Sequence, residues 1–124
     1  MNTIVQNNKI KTTIVYARLS VEGIHNWDTC DIPEVDYLKY PHRHRFGIKA
    51  YVNVSHADRD VEFIELKHKI EDYLNSTYFS EKHNCLVFGS MSCEMLASEL
   101  IDQFNLTECE VNEDEECGAI VKVS

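Results

Sequence analysis

Residues 46–54 alternate without a break: Phe46, Ile48, Ala50, Val52 and Val54 share one parity, and Gly47, Lys49, Tyr51 and Asn53 the other. Successive side chains of a strand leave opposite faces, so this run is a half-buried strand and the rest of the fold must supply a sheet around it. A second β-rich run, with Thr13, Ile14, Val15, Tyr16, Leu19 and Val21, covers 11–21 and reaches toward Gly23. The connection over 24–41 holds Trp27, Pro33 and Pro41, and connections of that length in small domains are often functional. After a polar turn at 55–60 the period changes. Phe63, Leu66, Ile70, Tyr73 and Leu74 form a helical stripe over 61–74, and Leu96, Leu100, Ile101 and Phe104 form another over 93–104. Ser92 is a suitable N-cap for the second helix, with Glu94 in its first turn. Residues 75–89 read as irregular, and 106–112 and 119–123 as strands. The order β-β-α-α-β-β predicts an α+β fold: one antiparallel sheet with two helices on one face. All of 1–124 reads as a single domain, with 1–10 as a frayed start.

Charge narrows the partners. The net charge of -9 opposes broad nucleic-acid binding, because phosphate backbones are repelled. The charge is unevenly spread: six acids lie between Glu108 and Glu116, whereas Arg43 and Arg45 flank His44. A local basic spot in an acidic chain suits a small anionic ligand. No apolar run approaches the ~20 residues of a membrane helix, and residues 1–11 carry no secretory pattern, so the expectation is a cytoplasmic protein with no membrane partner. The five cysteines form no CxxC pair and are expected to be reduced.

The densest chemical signal is His42-Arg43-His44 leading into the 46–54 strand. Residues two apart in a strand face the same way, so the two imidazoles can share an ion. His25, at the end of the first strand region, is the candidate third ligand, and three histidines with one open position make a zinc site of the catalytic type. The plainer alternative is a solvated strand end. Glu113 follows the alternation Cys109, Val111, and a carboxylate there can accept two hydrogen bonds from the amidine-like edge of a guanine or pterin ring. The plainer alternative is one acid in a hydrated turn. Cys93 stands at a helix N-terminus, where a thiolate is stabilised, although packing explains it as well. His83, Glu94, Arg43 and Arg45 complete the candidate ligand-binding set. No Gly-rich phosphate loop or Rossmann motif is present.

These residues resemble the 6-pyruvoyl-tetrahydropterin synthase and 6-carboxytetrahydropterin synthase family, of the tunnelling-fold type, over about residues 12–123. His25 matches the family's first zinc histidine, and His42-Arg43-His44 its His-Gly-His. Residues 61–67 (VEFIELK) are similar to the motif that opens its first helix, and 92–97 (SCEMLA) to the Thr-Ser/Thr-Glu-Asn stretch that opens its second. Glu113 falls on the glutamate that anchors the pterin ring. The resemblance implies zinc as cofactor, a purine- or pterin-like ligand, and a homo-oligomer, a hexamer by preference, whose sheets join between subunits and whose pockets lie there. It also departs from the family. Leu38 stands where those enzymes carry a catalytic cysteine or glutamate, and a leucine moves no protons. The assisting Asp-His pair has no clear counterpart, and Arg43 replaces the central glycine. The expectation is therefore a binding protein with no catalytic residue assigned. One form of it, also implied by likeness to short phage proteins, would sequester a host nucleotide signal. The alternatives are a zinc-dependent lyase of the same family and an interaction domain with a degenerate site.

Overall fold

The computed structural model describes residues 3–6 and 9–124, the first four through their backbone. It is a mixed α+β structure. Residues 3–6 (β1) and 9–12 (β2) pair antiparallel as a separate two-stranded ladder. Of the expected frayed start over 1–10, residues 3–6 and 9–10 lie in this ladder instead, and residues 1–2 and 7–8 lie outside the described residues. The main sheet has six strands in the order β5-β6-β3-β4-β7-β8: β3 is Ile14–His25, β4 His42–Asn53, β5 Phe79–Ser80, β6 Cys85–Gly89, β7 Glu108–Glu113 and β8 Cys117–Lys122. The helices are α1, Phe63–Tyr78, and α2, Cys93–Phe104, with a 3-10 helix at Pro33–Lys39 inside the long connection.

One face of the sheet is apolar because the alternation of each strand is in register with its neighbours. Leu19 pairs with Ile48, which pairs with Val111, which pairs with Ala119. One step along, Ala17, Ala50, Cys109 and Val121 form the next row. Both helices lie on this face: Leu66, Ile70 and Leu74 from α1 and Leu96, Ala97, Leu100 and Ile101 from α2 join the same buried cluster. Burying each such leucine or isoleucine is worth about 1.5–3 kcal/mol. The helix ends are capped by side chains. Glu62 accepts from the backbone N–H of Glu65, and Ser92 from that of Met95. Asn105, in the left-handed region at φ 53°, stops α2, and Leu106 N–H returns to the Ile101 carbonyl.

The structure departs from the sequence expectation in three places. Residues 75–89 are not irregular: α1 continues to Tyr78, and β5 and β6 follow. The sheet is not purely antiparallel, because β6 lies parallel to β3. The run Cys85-Leu86-Val87-Phe88 is too short and too uniformly apolar to show a period, which is how a buried parallel strand reads. Phe63, assigned to the buried stripe, is 51% exposed at the first residue of α1.

Candidate metal centre

β4 starts at His42, four residues before its apolar alternation begins, and this extension builds the site. The inward parity that carries Ala50, Ile48 and Phe46 continues as His44 and His42. On β3 it runs Ala17, Leu19, Val21, Gly23, His25, and on β7 Cys109, Val111, Glu113. His25 is the register partner of His42, Gly23 that of His44, and Phe46 that of Glu113. The core stripe thus ends in three imidazoles and a carboxylate. Gly23 leaves the space that the Phe88 and Phe46 rings occupy: a Cβ there would stand 2.5 Å from Phe88 Cε2.

The imidazole rings meet edge to face. Centroids are 4.6 Å apart for His25 and His42, 4.9 Å for His42 and His44, and 5.4 Å for His25 and His44. Phe46 backs the group, 5.1 Å from His25 and 5.7 Å from His44. One ring nitrogen of each histidine lies within 4.8 Å of one from each of the others, so the cluster can hold a metal ion.

Each Nδ1 is already engaged. That of His25 donates to the Met91 carbonyl at 2.9 Å, that of His42 to the Tyr40 carbonyl at 2.8 Å, and that of His44 to Asp114 Oδ2 at 2.7 Å. Carbonyls and carboxylates only accept, so Nδ1 carries the proton and Nε2 keeps the lone pair that binds metals. His25 Nε2 and His44 Nε2 are buried and have no hydrogen-bond partner among the described residues. Orphaned nitrogens of this kind are costly unless something absent from a bare chain satisfies them. Burial holds His25 below its ordinary pKa, which favours the neutral, coordinating form, although the Met91 carbonyl and Glu113 pull the other way.

Glu113 faces these nitrogens: Oε2 lies 3.0 Å from His25 Nε2 and Oε1 3.3 Å from His44 Nε2. Cys93 Sγ donates to Glu113 Oε2 at 3.7 Å. Burial and that carboxylate push the Cys93 thiol up to about 12, so the helix N-terminus yields no thiolate here and the packing account holds.

The other sequence candidates are elsewhere. The alternation that turns His42 and His44 inward turns Arg43 and Arg45 to the opposite face of the sheet. There Arg43 pairs with Glu22 and donates to the His83 carbonyl, and Arg45 donates to Ser20. The basic spot next to the histidines in sequence is thus across the sheet from them. The His83 side chain lies against Ser80 Oγ, 3.0 Å away, in the β5–β6 turn. Glu94 is exposed on the first turn of α2. Leu38 is in the 3-10 helix, its carbonyl accepting from Trp27 N–H, and Cys30 is buried with its thiol on the Val35 carbonyl.

Asp114 is the residue that sequence reasoning missed. It sits in the β7–β8 turn at φ 57°, receives the Arg45 N–H at 2.9 Å and returns its own N–H to the Arg45 carbonyl. The Arg45 N–H and then His44 hold its carboxyl below the ordinary aspartate value. No described helix is long and apolar enough to cross a membrane. Compared with models of protein families and with curated proteins, the chain returns no match.

Proposed function

We propose that this chain is a small-molecule-binding protein organised around a divalent metal held by His25, His42 and His44. One observation carries the proposal: three imidazoles anchored through Nδ1, two of them with a buried Nε2 that has no hydrogen-bond partner among the described residues. Neutral imidazole suits zinc, as it does copper, nickel and iron, and three such ligands leave a position open for a ligand atom. A bound zinc supplies a Lewis-acidic point for an oxygen or nitrogen donor of that ligand. The ligand class, a purine- or pterin-like ring, and a pocket completed between subunits of a homo-oligomer come from the resemblance to the pterin synthases. Binding is favoured over lyase chemistry because, by that resemblance, Leu38 stands at the catalytic position and a leucine moves no protons, while the Cys93 thiol is held protonated by burial and by Glu113.

Native mass spectrometry of the chain purified without chelator tests this directly. The expected spectrum shows one divalent ion per chain, and soluble pterins or guanine nucleotides should raise the melting temperature of that material. Ligand at a hundred times its Kd contributes about 2.7 kcal/mol. A metal-free protein that also takes up no added zinc would end the proposal.

Asp114→Asn gives a finer check. Asparagine tolerates the left-handed turn, but it has a single acceptor oxygen. With that oxygen on the Arg45 N–H, the amide NH₂ faces His44 Nδ1 and forces the proton onto Nε2. Zinc affinity should fall about 10–100-fold with the metal-free melting temperature nearly unchanged. Equal affinity would show that Asp114 does not set the His44 tautomer.

A further inference from the structure

Glu113 is read above, through the resemblance, as the clamp for a ring edge, yet its two oxygens are not turned outward. Both face imidazoles, at 3.0 Å and 3.3 Å from the Nε2 atoms of His25 and His44. Those distances suit hydrogen bonds, yet both nitrogens remain without a hydrogen-bond partner among the described residues. A carboxylate pairing with an imidazolium lies along the N–H axis. Two donors to one ion do not: each aims at the ion, and at bond lengths of about 2.0–2.2 Å they stand roughly 3.0–3.5 Å apart, side by side.

The surroundings of the carboxylate agree with a ligating role. Cys93 donates to Oε2, and ligating carboxylates are commonly held by such an outer contact. Phe46, the ladder partner of Glu113, backs both His25 and His44, so the carboxylate and the imidazoles share one apolar floor.

We propose that Glu113 is the fourth protein donor to the metal, making the centre three imidazoles and one carboxylate. This rests on the metal-centre reading above and changes what the centre selects. An oxygen ligand adds hard character, so six-coordinate cobalt, iron or manganese is admitted beside zinc. A six-coordinate ion then keeps up to two adjacent positions, which fit a chelating ligand. A ring carbonyl beside a ring nitrogen, as in pterins and guanine, is such a chelator and needs no carboxylate clamp.

Cobalt(II) alone is the probe, read through its visible bands and its Kd in the intact chain. The wild type should load, and Glu113→Gln, nearly the same in shape, should bind at least ~10-fold more weakly with altered bands. Glu113→Asp should recover part of the loss. A wild type that takes up no cobalt overturns the metal centre and this assignment together. A wild type that loads, with Glu113→Gln matching its Kd and bands, overturns only the role of Glu113. Should the glutamine variant not fold, the infrared difference spectrum of the wild type with isotope-labelled glutamate decides. A carboxylate stretch that shifts on loading supports coordination, and an unshifted spectrum refutes it.

Discussion

Replacing His25 with alanine should cost the protein at least ~100-fold in zinc or cobalt affinity, more than removal of an outer-shell partner usually costs. His25 is the one buried polar residue among the described residues, at 8% exposure, and it does three things at once. It offers a buried lone pair at Nε2, fixes the 25–27 and 89–92 segments together through Nδ1–H on the Met91 carbonyl, and packs its ring on Phe46. The alanine variant therefore loses a ligand, a hydrogen bond and packing. The loss of packing lowers the melting temperature without metal. The loss of the ligand is seen separately, because added zinc stabilises the folded state only in proportion to its occupancy there. The wild type should gain several degrees on zinc addition and the variant none. An equal gain in both would mean that zinc binds elsewhere, and the three-histidine centre would have to be abandoned.

What the sequence made legible follows from how local the signals are. The Ser92 cap and a regular apolar stripe predict helix α2 over about 93–104, where the structure has it. The centre of β4 was equally plain, but its first four residues were not, since its alternation there is carried by histidine and arginine, which read as polar. β6 is not legible in the same way, because a parallel pairing with β3 is a long-range event with no local sequence mark.

The site shows the same division. The i, i+2 spacing of His42 and His44 foretold a shared face, and His25 at a strand end foretold the third imidazole. The same rule puts Arg43 and Arg45 on the face opposite the histidines, where the sheet has them, although adjacency in sequence groups all four. Asp114 is one acid among six, and what distinguishes it is a left-handed turn that returns it to Arg45 and His44. The Met91 and Tyr40 carbonyls that orient His25 and His42 are backbone atoms, which no residue type announces.

Alkali should unfold this protein well before it harms an ordinary surface. Cys109, with no exposure, and Cys93 each have a thiol pushed from 9.0 up to about 12, chiefly by burial. Tyr73 and Tyr78 are raised as well, by burial and because both hydroxyls donate to the same oxygen of Glu99. All four groups keep their protons in the folded chain, whereas an unfolded chain releases thiol protons from about pH 9 and phenol protons from about pH 10. Between those values and the raised ones the unfolded state binds fewer protons, so the stability falls as pH rises, by up to about 1.4 kcal/mol per pH unit for each group fully in its window. Below about pH 9 the contribution is intact. Urea midpoints should hold level from pH 7 to 8.5 and then drop steeply toward pH 11, and Cys109→Ala or Tyr78→Phe should each flatten the slope while costing some stability at pH 7. A profile that stays level to pH 11 would mean that these thiols and phenols are hydrated, and with them the core between the sheet and its two helices.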